Sequence, residues 1–174
     1  RAEDPDLQPD EVDLFVISAE GGKARKINTP VGGKYLPIFS PDGKWIAYFS
    51  REGRGKWWRN MSLWVVPADG SGDARDLTGQ FDFDSSNSSI NDLPGHVPMS
   101  PPTWSPDSQA IYFHVARHGN SGLKKISLSG EADSLETVIG GDGVYGGYGF
   151  DRDFTRVACL HADMMNPLEV WLCD

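Results

Sequence analysis

The sequence predicts an all-β fold assembled from a repeating four-stranded antiparallel unit, and three observations predict it. A strand, a tight turn and a second strand recur along the chain. A different hairpin follows the first one at a similar offset. Composition favours turns over helices: 174 residues include 20 glycines and 12 prolines, with no helical periodicity and no apolar run of membrane-spanning length.

The first signature is Ser40-Pro41-Asp42-Gly43, between Ile38-Phe39 and Trp45-Ile46-Ala47-Tyr48-Phe49. Proline presets φ at the second turn position, aspartate suits the third, and glycine tolerates a positive φ at the fourth. The flanking aromatic and β-branched residues favour strands. The same order returns at Trp104-Ser105-Pro106-Asp107-Ser108 before Ala110-Ile111-Tyr112-Phe113. A degraded copy runs Phe150-Asp151-Arg152-Asp153-Phe154 before Val157-Ala158-Cys159-Leu160. The matching aspartates, Asp42, Asp107 and Asp153, are 65 and 46 residues apart.

The second hairpin is Leu14-Phe15-Val16-Ile17 through Glu20-Gly21-Gly22 to Ala24-Arg25-Lys26-Ile27. It returns as Leu63-Trp64-Val65-Val66 through Asp69-Gly70 to Ala74-Arg75-Asp76-Leu77-Thr78. Naming the strands A to D, the chain reads C-D, A-B-C-D, A-B-C-D, A-B-C, or thirteen strands. Four-stranded repeats of about 40–50 residues are the signature of a β-propeller. The expected fold is a partial β-propeller of about three four-stranded antiparallel blades, starting and ending mid-blade.

The expected layout is an acidic linker or arm over residues 1–12 and a propeller fragment over 13–174. Its blade parts are 13–28, 35–78, 101–139 and 146–174, with an insertion at 79–100. Propellers need about four blades or more to close, and open arcs leave strand edges and faces bare. More blades are therefore expected in a parent protein, and self-association through the open blade faces in this chain.

A net charge of −9 argues against nucleic acid or an anionic membrane as partner. The acid concentrates in the arm, while Arg51, Arg54, Lys56 and Arg59 make one loop basic. The two cysteines, Cys159 and Cys173, form no disulfide framework; they are expected on neighbouring strands, as free thiols or a cross-strand pair. His96, His114, His118 and His161 show no metal spacing, because residues four apart on a strand lie far apart. No cofactor or metal is expected. Asn60-Met61-Ser62 and Asn87-Ser88-Ser89 match the glycosylation pattern, which matters only in a secreted eukaryotic protein. No signal peptide or spanning segment is seen, and a cytoplasmic location is expected.

The motif Phe39-Ser40-Pro41-Asp42-Gly43-Lys44-Trp45-Ile46-Ala47-Tyr48-Phe49-Ser50, with Leu63 to Gly70 and Ala74 to Thr78, resembles the TolB-type propeller repeat. The same repeat builds the propeller of the prolyl oligopeptidase family of serine peptidases. Asp76-Leu77-Thr78, a long insertion with Asp92-Leu93, Pro102 to Asp107, Ile111-Tyr112-Phe113 and Pro167-Leu168-Glu169-Val170-Trp171 resemble the acylaminoacyl-peptidase-like branch. The resemblance runs from Asp13 to the end. It implies that catalysis belongs to an α/β-hydrolase domain with a serine on a G-x-S-x-G elbow. The propeller would cap that site and select peptide substrates. The nearest string here, Gly119-Asn120-Ser121-Gly122, lacks the spacing and lies between two strands, so no catalytic residue is assigned. A TolB-like propeller that binds proteins without an enzymatic domain is the alternative.

Candidate contacts with substrate or a neighbouring domain are Arg54, Trp57, Trp58, Arg59, Phe81, Asp82, Asp84 and His96. A basic aromatic loop can grip a carboxylate or an aromatic ring. The plainer alternative has Trp57 or Trp58 beginning strand C and packing between blades. Phe81, Phe83 and His96 would anchor the insertion, or simply clamp a surface loop. Asp82 and Asp84 are candidates for a cation or a free amino terminus.

Overall fold

A computed structural model describes residues 10–86 and 99–173. Four antiparallel sheets follow one another along the chain. The first holds β1 (Leu14–Val16) and β2 (Arg25–Ile27). The second holds β3 (Gly32–Phe39), β4 (Trp45–Glu52), β5 (Ser62–Pro67) and β6 (Arg75–Asp76) in that spatial order. The third repeats the order with β7 (Thr103–Trp104), β8 (Ala110–Arg117), β9 (Asn120–Ser127) and β10 (Glu136–Ile139). The fourth holds β11 (Val144–Phe150), β12 (Val157–Ala162) and β13 (Glu169–Cys173). These thirteen strands have the C-D, A-B-C-D, A-B-C-D, A-B-C order expected from the repeats, and the fold is a partial propeller. A 3-10 turn, Ala132–Ser134, sits between β9 and β10.

The sheets stack because their central strands are apolar on both faces. Successive side chains of a strand point to opposite faces. Ile46 and Tyr48 of β4, with Trp64 and Val66 of β5, join Leu14 and Ile27 of the first sheet. Their neighbours Ala47, Phe49, Leu63 and Val65 join Ile111, Phe113, Val115 and Ile126 of the third. Leu123 and Ile139 meet Tyr145, Val157 and Cys159 of the fourth sheet. An unbroken apolar run such as Ile46–Phe49 thus marks a strand sandwiched between blades.

The turn between inner strands keeps its register in all three copies. Gly43, Ser108 and Phe154 occupy its fourth position with φ of 71°, 62° and 55°. In two copies the serine hydroxyl donates to the aspartate at 2.6 Å: Ser40 to Asp42 and Ser105 to Asp107. The third copy moves the work. Asp151, at the serine position, accepts from the backbone N–H of Thr155 and Arg156 at 2.8 and 3.1 Å, and no hydrogen bond is made by the Asp153 side chain among the described residues. These bonds, that from Arg156 foremost, hold the Asp151 carboxyl down at about 2.

β3 begins at Gly32, upstream of residue 35, where this blade part is expected to start. A bulge lies between Tyr35 and Ile38, with Leu36 at φ 50°. Gly32 admits the extension, since a Cβ there would sit 2.1 Å from the Arg51 carbonyl oxygen.

Two arginines clasp consecutive blades. Arg25 of β2 donates to the Ala68 carbonyl at 2.7 Å, and Arg75 of β6 donates to the Leu128 carbonyl at 2.9 Å. Each reaches from an outer strand to the next blade's turn between its two outer strands. The repeated Ala-Arg pair in the sequence is therefore an inter-blade tie.

Tyr48 is buried against Trp64, with ring centroids 6.5 Å apart, and its hydroxyl has no partner among the described residues. Burial raises its pKa well above the ordinary range. A buried hydroxyl without a partner costs stability. Tyr48→Phe is therefore expected to leave the protein as stable or more stable by about 1 kcal/mol, read from the urea midpoint. A loss of more than about 1 kcal/mol would reveal a partner for that hydroxyl.

Candidate functional site

Because the strands alternate in direction, the loops sort into two sets. The inner Pro-Asp turns and the turns near residues 18–22, 68–71 and 128–134 share one end. The other end carries the loops between second and third strands, at 53–61, 118–119 and 163–168. It also carries the blade-to-blade connections, including the insertion that begins at residue 79.

The two ends differ chemically. The turn end is rich in Asp, Gly and Ser. At the loop end Trp57 and Trp58 are 77% and 62% exposed, and Met164 and Met165 are 101% and 89% exposed. The two tryptophans meet edge to face at 6.2 Å, and the Lys56 ammonium lies 5.1 Å from the Trp58 ring. Neither tryptophan begins a strand or packs between blades, contrary to the plainer alternative: β5 starts only at Ser62. The tight turns at Gly53 and Gly55, with φ of 98° and 61°, end the strand pairing early and leave the loop outside the stack.

The basic character of this loop is partly spent within the chain. Arg54 pairs with Glu11 at 2.8 Å, and the Gly55 N–H donates to Asp10 at 2.8 Å. The end of the acidic arm is thus docked on the loop, and Glu11 also bridges to Gly32 in parallel fashion. Arg59 contributes its carbonyl, which accepts from Arg51 Nε at 2.7 Å.

Asp84 is at the centre of a clamp. It lies 3.7 Å from the Arg51 guanidinium, accepts from the Met61 N–H at 3.2 Å and accepts from the Ser86 hydroxyl. Its backbone bridges to Ala116 of β8. Ser85 and Thr78 exchange a hydroxyl hydrogen bond at 2.9 Å, and Thr78 accepts from the Leu63 N–H. Phe83 enters the core between the second and third sheets, stacked on Phe81 at 5.4 Å and close to Phe113. The start of the insertion is thereby structured. Asp82 is exposed. His96 lies outside the described residues, as do Asn87, Asp92 and Leu93.

A cleft of about 380 Å³ opens beside this segment, between it and the third sheet. Phe81 and Phe83 form one apolar wall, Asp82 stands among the lining, and Arg117 and Lys124 come from β8 and β9. The sequence reading missed both cations. Arg117 alternates with the core residues Phe113 and Val115, and Lys124 faces Phe113 across the ladder, so the signal was present only once strand pairing was known. Burial, and then the nearby Arg117 charge, lower the Lys124 pKa.

His114 and His161 pack against aromatic rings, and His118 is exposed in the loop at 118–119. His114 is buried, with its ring edge-on to Tyr148 at 4.8 Å, and burial pushes it down to about 4. His161 packs 4.0 Å from the Trp171 ring. Cys159 and Cys173 are free thiols on adjacent strands and share a face diagonally, since Val157 opposes Cys173 and Cys159 opposes Trp171. Burial pushes the Cys159 thiol up to about 11, away from reactivity. Among the described residues, no group of three or more His, Cys, Asp or Glu side chains is arranged to hold a metal. No described helix is long and apolar enough to cross a membrane.

His114 also sets a pH dependence. The unfolded chain binds a proton at His114 near its ordinary pKa of about 6.5, whereas the folded chain resists it until about 4. Stability should thus be undiminished above about pH 6.5 and fall between about pH 6.5 and 4, by roughly 2–3 kcal/mol from this residue. Urea midpoints of the wild type and His114→Gln, compared across that window, are expected to converge as pH falls. Parallel pH profiles would show that His114 takes up its proton without cost.

No known protein-family profile matches the chain. No curated protein matches it either. Solved structures do. The β-propeller domain of the Trilobed protease from Pyrococcus furiosus superposes with a TM-score of 0.62 at 15% identity, over 93% of this chain and 41% of that one. The acylaminoacyl peptidase of Pyrococcus horikoshii gives 0.61 at 16% identity, over 93% of this chain and 21% of that one. The tricorn protease gives 0.58 at 14% identity, over 88% and 13%. The chain thus spans less than half the length of each, and its fold is that of the propellers carried by such peptidases.

Proposed function

We propose that this chain is the non-catalytic propeller part of a serine peptidase of the prolyl oligopeptidase family, acylaminoacyl-peptidase-like. In this role it gates and selects peptide substrates for an α/β-hydrolase domain of the parent chain. The observation that carries the reading is the difference between the two ends of the blades. In a propeller of whole blades the chain enters at the start of an inner strand and leaves at the end of an outer one, and both points lie at the loop end. A domain joined on both sides therefore meets Trp57, Trp58, Met164 and Met165. Aromatic residues and methionine are the types enriched where proteins meet.

In this layout residues 1–12 are an arm, 13–174 the propeller part, and 79–100 an insertion reaching toward the neighbouring domain. Arg54, Trp57, Trp58 and Arg59, with Phe81, Asp82, Asp84 and His96, are the contacts offered to it or to a peptide. The acidic net charge fits neither nucleic acid nor a membrane surface, and the workplace is the cytoplasm. The bare outer faces of the first and fourth sheets provide for self-association. A second reading rests on the same exposed rings: a TolB-like module would use them to hold a protein partner with no enzyme attached.

A fluorophosphonate serine-hydrolase reagent separates the two. With the gene expressed in full, it is expected to label a serine outside residues 1–174 on a G-x-S-x-G strand–turn–helix, and to leave this chain unlabelled. A product without a reactive serine, or labelling within this chain, would overturn the peptidase reading.

A further inference from the structure

The cleft beside Phe81 combines two features that call for a ligand. Arg117 and Lys124 both line it, and neither belongs to an ion pair among the described residues. Lys124 Nζ donates to the Thr137 hydroxyl at 2.8 Å, which uses one of its three donors. Among the described residues Asp82 is the one acid lining the cleft, and no ion pair joins it to either cation. Two bases against one acid leave a single net positive charge, which suits one carboxylate better than a phosphate dianion.

The remaining lining is suited to a peptide. Phe81 and Phe83 stack with their planes 8° apart and supply the aromatic part of the lining. Polar backbone at Gly140 and Gly141 and the Asn120 side chain complete the cleft. The Asn120 carbonyl oxygen accepts from the Gly143 N–H at 3.0 Å, so its NH2 remains to donate. A volume of about 380 Å³ falls within the range of small-ligand sites. An aliphatic acid would leave these polar groups without partners, whereas a peptide chain supplies matching donors and acceptors.

We propose that this cleft binds the C-terminal end of a peptide, its carboxylate held by Arg117 and Lys124 and its last, apolar side chain lying on Phe81 and Phe83. The negative charge of the incoming carboxylate would offset the burial and the Arg117 repulsion that lower the Lys124 pKa. The cleft belongs to this chain alone, and binding there needs no hydrolase domain. It therefore stands or fails separately from the peptidase reading.

Titration calorimetry with acetyl-Ala-Ala-Phe as free acid, and with the same peptide as its amide, tests the assignment. The acid is expected to bind saturably, and the amide about tenfold more weakly, the equivalent of 1.4 kcal/mol. Arg117→Gln and Lys124→Gln should each weaken the acid about fivefold or more and bring it toward the amide. Lys26→Gln, a change on the first sheet, should leave both affinities unchanged. The two glutamine variants alter partly exposed side chains, and unchanged melting would show that they fold. Equal binding of acid and amide, no saturable binding at about 10 mM acid, or full affinity in both glutamine variants would overturn it.

Discussion

Replacing Phe113 with alanine is expected to destabilise the protein by about 3–5 kcal/mol, a large share of the roughly 5–15 kcal/mol that holds a domain together. Phe113 is fully buried between the second and third sheets, in contact with the cluster that includes Phe49, Leu63, Val65 and Phe83. Its ring centroid lies 6.3 Å from that of Phe83. Truncation removes the ring and leaves a cavity that rigid strands on both sides cannot fill. Urea denaturation of Phe113→Ala beside Phe39→Ala gives the contrast. Phe39 is 51% exposed at the end of β3, so its loss should change stability by about 0.5 kcal/mol or less. Similar small effects for both would mean that the blades do not close on each other at Phe113.

The second large effect separates two aspartates that the sequence treats alike. Asp84→Ala should cost about 2–3 kcal/mol, because it strands the Arg51 guanidinium and the Met61 N–H in a partly buried site. Asp82→Ala should stay within about 0.5 kcal/mol of the wild type, since Asp82 is exposed and makes no ion pair among the described residues. Thermal unfolding of the two variants checks the pair. An unstable Asp82→Ala, or a stable Asp84→Ala, would show that the clamp is wrongly placed.

The repeat was legible because turn chemistry is local. Proline, aspartate and glycine act within four residues, so Ser40–Gly43 and Ser105–Ser108 reveal the inner turn without any knowledge of packing. The register of the third copy was also legible, since Phe154 holds the positive φ of Gly43 and Ser108. The transfer of hydrogen bonding from Asp153 to Asp151 was not, because either carboxylate satisfies the pattern and only the backbone geometry decides. The long β3 was hidden by Gly32 and Gly33, residues that a strand reading discounts.

The site was less legible than the fold, for a physical reason. Trp57 and Trp58 read as strand residues by propensity, yet the glycines before them keep the loop out of the stack. Arg117 and Lys124 are seven residues apart and line one cleft only through the pairing of β8 with β9 and the approach of Phe81. The arginine clasps at Arg25 and Arg75 were visible as a repeated pair of letters, but their acceptors at Ala68 and Leu128 belong to the following blade. Contacts between blades are long-range by construction, and single-sequence periodicity does not report them.

Apolar faces bring the sheets together, and two such faces lie on the first and fourth sheets. On the outer face of the fourth sheet Leu160 opposes Val170 and Ala158 opposes Leu172; Val170 and Leu172 are 77% and 63% exposed. Phe15 and Ile17 are similarly bare on the first sheet. Such faces should not stay in water. Light scattering on the purified chain tests this most directly. A dimer or larger species is expected, and Val170→Glu together with Leu172→Glu should shift it toward monomer while the melting transition is kept. A stable monomer of the unmodified chain would contradict the account.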